Sequence, residues 1–127
     1  MMTKQVRLLK AGEQAGAATA QTTGMLREEL ASAPGVWVGI SRTAPGVMGG
    51  WHHHGEQDTY AYVISGRVRI EYGPGGSESC EAGPGETAYV PCDSVHRESN
   101  PADEEQVIFV VRVGPGDPVF NVDGPQG

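Results

Sequence analysis

Between Val36 and Val113 turn residues cut the chain into apolar runs of only four to eight residues. The runs are Val36 to Arg42, Met48 to His54, Thr59 to Ile64, Arg67 to Tyr72, Thr87 to Val90, Val95 to Ser99 and Gln106 to Val113. Between them stand Ala44-Pro45-Gly46, Ser65-Gly66, Gly73-Pro74-Gly75-Gly76, Ala82-Gly83-Pro84-Gly85, Pro91-Cys92-Asp93 and Asn100-Pro101. Proline fixes φ and glycine permits positive φ, so each break turns the chain. Strand-length runs at this spacing predict a small β-sandwich or barrel. Composition agrees: 14 valines stand against four leucines, and β-branched side chains pack well on a pleated surface. The 19 glycines and nine prolines approach the composition of a disordered chain, but a net charge of −7 is modest for 127 residues. We therefore expect one folded, turn-rich, all-β domain.

Several partners are excluded. Nucleic-acid affinity comes mostly from neutralised phosphates, and an acidic chain without a Lys/Arg cluster has little to offer them. No apolar run is long enough for a membrane span, and Met1-Met2-Thr3-Lys4-Gln5 leads into no signal-like segment, so a cytoplasmic protein is expected. Cys80 and Cys92 match no CxxC pattern, and no structural disulfide is expected of them. Residues 1–35 read as an N-terminal arm, with a small-residue stretch from Ala11 to Ala20 and little core of its own. Within the arm, Met25 to Leu30 suits either a helix of about two turns or an extended segment. Gly66 predicts a tight hairpin, with Val68 and Ile70 facing in and Arg67, Arg69 and Glu71 facing out.

Chemistry concentrates in the four histidines. Three are consecutive, in Trp51-His52-His53-His54-Gly55. On a strand, His52 and His54 share one face and His53 takes the other. Two imidazoles so placed can hold one metal ion. The fourth, His96, lies in the segment from Gly85 to Asn100.

That segment resembles the second motif of the cupin family, G-x5-P-x-G-x2-H-x3-N. Gly85, Pro91, His96 and Asn100 fall at the motif positions, and Asp93 replaces the inner glycine. Asn and Asp tolerate left-handed turns, so the replacement costs little. The upstream run is similar to the first cupin motif, G-x5-H-x-H-x3–4-E-x6-G: His52 and His54 supply H-x-H, Gly66 closes it, and Gly46, Gly49 and Gly50 precede it. The resemblance implies a jelly-roll, or double-stranded β-helix, barrel over residues 36–113, with residues 114–127 as a C-terminal tail. It also makes His52, His54 and His96 ligands of one divalent transition metal ion, whether Fe, Zn, Ni, Mn or Cu. Imidazole suits such metals, and three ligands leave open positions.

The family's carboxylate is missing from its place, which Thr59 occupies. The fourth donor is then absent, or it is Asp58 one position earlier, or Gln57, which has the parity of Thr59 on an extended chain. Some similar cupins, thiol dioxygenases and diketone-cleaving enzymes among them, use three histidines without a carboxylate. The resemblance thus implies either an enzyme acting on a small organic molecule, with dioxygenase-, isomerase-, decarboxylase- or cyclase-like chemistry, or a non-catalytic module binding a metal or small ligand. Fold alone does not choose between them.

Other residues receive more ordinary expectations. Glu56, Asp58 and Tyr89 are candidate general bases by proximity alone. Tyr60 and Tyr62 alternate away from the site, toward outer packing or a dimer contact, and Trp51 alternates away from His52. Cys92 reads as small buried filler. Arg42 reads as a surface charge before it reads as a partner for a substrate carboxylate. Asn100 should serve the turn before Pro101. A homodimer is expected from the family resemblance and from Met25, Leu26 and Leu30 in the arm.

Overall fold

Burial alternates residue by residue where the sequence marks strands: Gln106, Ile108, Val110 and Arg112 are buried, while Val107, Phe109 and Val111 between them are only partly so. The computed structural model describes residues 5–10 and 21–125. The rest of the expected arm, including Ala11 to Ala20, and the last two residues of the tail lie outside the described residues. Among the described residues ten strands run β1 (Leu26–Ala33), β2 (Val36–Thr43), β3 (His52–His53), β4 (Asp58–Ser65), β5 (Val68–Tyr72), β6 (Glu78–Ala82), β7 (Thr87–Val90), β8 (Arg97–Ser99), β9 (Gln106–Val113) and β10 (Phe120–Asn121), with a 3-10 turn at Pro74–Gly76. They form a five-stranded sheet in the order β1-β2-β9-β4-β7, a three-stranded sheet in the order β6-β5-β8 and the pair β10-β3. Every pairing is antiparallel. This is an all-β, double-stranded β-helix of the jelly-roll kind.

The apolar core lies between the two larger sheets. Trp37, Ala61, Val63, Val90, Ile108 and Val110 come from the five-stranded sheet, and Val68, Ile70 and Ala82 from the three-stranded one. Fully burying a side chain the size of Val or Ile contributes about 1.5–3 kcal/mol, so this small cluster carries much of the fold. Register arranges the inner face of β2, β9 and β4 in rows. Ser41, Ile108 and Val63 form one, Gly39, Val110 and Ala61 the next, and Trp37, Arg112 and Thr59 the last. The core is therefore apolar in its middle and turns polar at the end where β9 finishes.

Several expectations change. Gly66 does not close a hairpin. It has φ +75°, and β4 enters it from the five-stranded sheet while β5 leaves it in the other. Both edges of β4 are taken by β7 and β9 and both edges of β5 by β6 and β8, so the two cannot pair. Gly66 is a corner, and its neighbours fit: Val68 and Ile70 are buried as expected. Of the two conformations open to the Met25 to Leu30 segment the extended one is present: β1 pairs with β2 from Leu26↔Arg42 to Ala33↔Val36 with a bulge near Glu29. Helix propensity is a weak prior beside a free sheet edge. The expected Met48 to His54 strand shrinks to β3, with Met48 in an isolated bridge to Ser99. Two strands, β6 and β10, carried no apolar pattern; β6 is an edge strand exposed at four of its five positions. No helix among the described residues is long and apolar enough to cross a membrane.

Candidate metal centre

The two histidine segments meet directly. His52 and His96 form an antiparallel bridge, each donating its backbone N–H to the other's carbonyl at 2.9 Å. His54, two residues on from His52, turns to the same side, whereas His53 points away and stacks on Phe120 with centroids 5.0 Å apart. The alternation read from the sequence is therefore present. His52, His54 and His96 are each at most 1% exposed, and their ring centroids lie 4.4–5.1 Å apart. Ligand atoms from the three lie within 4.8 Å of one another, a group that can hold a metal ion.

Each ring is held by its other nitrogen. His52 Nδ1 donates to the Gly50 carbonyl at 3.0 Å, His96 Nδ1 to Ser94 at 2.8 Å and His54 Nδ1 to Pro118 at 2.7 Å. A carbonyl only accepts, so each Nδ1 carries the proton and each Nε2 presents its lone pair. The Nε2 atoms of His52 and His96 are buried and have no hydrogen-bond partner. Orphaned buried acceptors are uncommon, and three imidazoles oriented by carbonyls are what a borderline divalent ion requires. The residues fit the metal. Two of the three clamps are local, from carbonyls two residues upstream. The third comes from beyond the barrel strands, in the segment after β9.

That segment wraps the site. Gln57 Nε2 donates to the Gly114 and Gly116 carbonyls at 3.3 and 3.1 Å, and Phe120 lies against Gly55. Asn121 Oδ1 accepts from Thr22 Oγ1 at 2.7 Å, and Thr22 in turn accepts from Arg27 Nη1 at 2.7 Å. Thus the chain just before β1 and the chain around β10 close the same end of the barrel.

Burial sets the electrostatics. It lowers the His52 pKa to about 3, with the charge of His96 acting the same way and Glu98 opposing. His54 is driven far below the ordinary imidazole value by burial first, then by the charges of Arg112, His96 and His52. Both rings are therefore neutral at physiological pH, the state that binds metal. Glu98 lies inside too, its Oε1 3.6 Å from His96 Nε2. Burial alone would raise its pKa, but contact with His96 and the positive charge of Arg27 outweigh it and hold the carboxyl at about 2.

The candidates for a fourth donor part company. Asp58 is engaged elsewhere: its Oδ1 accepts from Cys92 N–H at 2.9 Å and from Tyr89 Oη at 3.3 Å. Gln57 and Thr59 are buried, and Gln57 Oε1 and Thr59 Oγ1 have no partner. Of the proposed general bases, Glu56 is exposed and Tyr89 is half exposed and bonded to Asp58. Cys92 is exposed rather than buried filler, because Pro91-Cys92-Asp93 turns outward, with Asp93 at φ +58° where the motif has glycine. Arg42 is an outward surface charge paired with Glu105 at 3.3 Å. Asn100 serves its turn, donating to the Thr43 and Glu104 carbonyls and accepting from Ala102 N–H.

Sequence reasoning passed over three interior residues: Arg112, Glu98 and Trp37. Parity would have found the first two. Arg112 shares the inward phase of Ile108 and Val110, and Glu98 follows His96 by two along an extended chain. A cavity of about 220 Å³, lined by Tyr72, Tyr89, Val90, Pro91, Ser94 and His96 among others, reaches the cluster between the two sheets.

A double-stranded β-helix that gathers an H-x-H pair and a third histidine inside one end defines a class of protein. The chain belongs to the cupin family, matching the cupin domain over residues 39–117. No curated protein matches it. Its fold is similar to that of an uncharacterized conserved protein with a double-stranded β-helix domain from Klebsiella pneumoniae, with TM-score 0.70 and 17% identity over 94% of this chain and 99% of that one. It is also similar to oxalate decarboxylase from Bacillus subtilis, with TM-score 0.69 and 20% identity over 83% of this chain and 29% of that one. KdgF from Halomonas sp. gives TM-score 0.58 and 23% identity over 71% of this chain and 79% of that one.

Proposed function

We propose that this cupin is a mononuclear metal-dependent enzyme acting on a small organic molecule with oxygen donors. The observation that carries the reading is the set of three Nε2-presenting imidazoles, each locked by a carbonyl at Nδ1, with no carboxylate among them. A divalent ion on three neutral ligands would keep open positions and a net positive charge, with the Glu98 carboxylate beside His96 as its nearest counter-charge, so it would supply Lewis acidity toward a substrate oxygen or a site for O₂. His52, His54 and His96 hold that ion, Gln57 Oε1 is the candidate additional donor, and Pro118 fixes the His54 ring. The metal is one of Fe, Zn, Ni, Mn and Cu.

The test begins with metal content. Purified parent protein should carry close to one equivalent of transition metal, and His96→Ala should lose it while keeping its β-type circular dichroism. Equal metal in both would overturn the site. Turnover is then followed by O₂ uptake and by product analysis over small oxygen-donor substrates with the loaded protein. Flat results throughout would favour the alternative, a metal- or ligand-binding module without catalysis.

The reading extends to assembly and location. The outer face of the five-stranded sheet carries uncharged central rows, Val38–Val111–Tyr60 and Ile40–Phe109–Tyr62, with Tyr60 48% and Tyr62 45% exposed. Contiguous apolar surface of this kind marks an interaction face. A second copy is the occupant we propose for it, and a two-fold arrangement would bury the same rows on both subunits. Two exposed, unpaired cysteines suit a reducing, cytoplasmic setting.

A further inference from the structure

The last inward row of the five-stranded sheet, Trp37–Arg112–Thr59, is unusual in its polar atoms. Arg112 is 3% exposed, and its Nε and Nη1 have no hydrogen-bond partner. No carboxylate lies within 4.0 Å of its guanidinium among the described residues; the Trp37 ring lies 4.6 Å from Cζ, and Glu98 acts on the guanidinium only through the interior, without an ion pair. The row neighbours repeat the pattern, since Trp37 Nε1 and Thr59 Oγ1 are also buried and unpartnered. Buried polar groups are rarely left so, and an unpaired buried cation is costlier still. Four unmet polar atoms in one row, all able to donate, describe a receptor for an anion. The guanidinium fork matches a carboxylate in particular.

This row borders the histidine cluster. Arg112 stands two residues before Gly114, whose backbone packs against Glu56 and Gln57 and accepts from Gln57 Nε2. Gln57 follows His54 by three residues. On the other side, Thr59 pairs with Val90, which lines the cavity that reaches His96. The anion receptor and the presented Nε2 atoms thus share one end of the barrel.

We propose that Arg112, with Trp37 Nε1 and Thr59 Oγ1 beside it, is the carboxylate anchor of the site, selecting small carboxylates with a neighbouring oxygen, such as 2-oxo and 2-hydroxy acids. The inference rests on the metal reading above, which assigns the neighbouring oxygen to the ion. Arg112 is a binding and specificity residue in this scheme, not a metal ligand, so its loss should leave the ion in place.

Calorimetric titration with pyruvate, and with pyruvamide as its uncharged counterpart, tests this on metal-loaded and chelator-treated protein. In parent protein, pyruvate should bind in both states and more tightly with metal, and pyruvamide at least tenfold more weakly than pyruvate. Arg112→Met should weaken pyruvate at least tenfold in both states, leave pyruvamide unchanged and retain full metal content. Should Arg112→Met fail to fold, Arg112→Lys carries the test, because it keeps the charge and loses the fork: weaker pyruvate binding at unchanged metal content supports the anchor. Undiminished pyruvate affinity in the folded variant, or equal affinity of parent protein for pyruvate and pyruvamide, overturns the anchor while leaving the metal site standing. Equal pyruvate affinity with and without metal would instead count against the metal reading alone.

Discussion

Acidification of the metal-free protein should destabilise it steeply well before its carboxylates titrate. The cause is the two histidines buried in neutral form. His52 titrates near 6.5 when unfolded and at about 3 in the fold, and His54 lies lower still. Between those values the unfolded chain binds protons that the fold refuses, so stability is fully present above about pH 6.5 and falls as pH drops toward the folded values. From pH 7.5 to pH 5 the His52 term alone removes about 2 kcal/mol. His54 removes a similar amount, so the loss is about 4 kcal/mol from a total that for small domains is about 5–15 kcal/mol. The slope near pH 5 should approach about 2.7 kcal/mol per pH unit, two protons' worth. Glu98 adds little in this window, because its carboxyl, held at about 2, contributes stability that is lost only below its ordinary value of 4.5. Urea denaturation of chelator-treated protein at half-unit pH steps measures it, and His52→Gln should halve the slope. A stability constant within 1 kcal/mol between pH 7.5 and 5 would refute the argument that these rings are buried and neutral.

Two further outcomes follow from the fold. Gly66→Ala should cost at least about 1–3 kcal/mol, since φ +75° strains any L side chain and the new Cβ would meet the Gln106 Cα at 2.8 Å; chemical denaturation reads it, and a change below about 0.5 kcal/mol, the scale of an ordinary surface substitution, would mean the corner is not built as described. Tyr62→Glu places a charge in the central outer row and should convert a dimer into a monomer in sedimentation; a parent protein that is already monomeric at high micromolar concentration removes the proposed interface.

Much of the architecture was legible because its signals are local. Period-two alternation depends only on neighbours along the chain, and it located β2, β4, β5, β7 and β9 with small shifts at their ends. The same alternation separated His53 from His52 and His54, and Asp93, standing where the second motif has glycine, does adopt the left-handed turn that Asp tolerates. What failed was non-local. Gly66 reads alike whether it closes a hairpin or turns a corner between sheets, because the choice depends on which strands occupy the edges of β4 and β5. The edge strand β6 lacks an apolar phase, and β1 is strand only because β2 offers it an edge.

The candidate site divides in the same way. By itself the sequence determined the identity and phase of the three imidazoles, since H-x-H spacing on an extended chain puts two rings on one face and the second motif carries the third. Only the tertiary structure decided what surrounds them. The carbonyl that fixes His54 comes from Pro118, 64 positions away. Asp58 is drawn outward to Tyr89 and Cys92, while Glu98 and Arg112 are brought inside from β8 and β9. An inward phase states that a side chain is buried; which other buried side chains it meets is set by strand register and sheet order, and those exist only once the chain has folded.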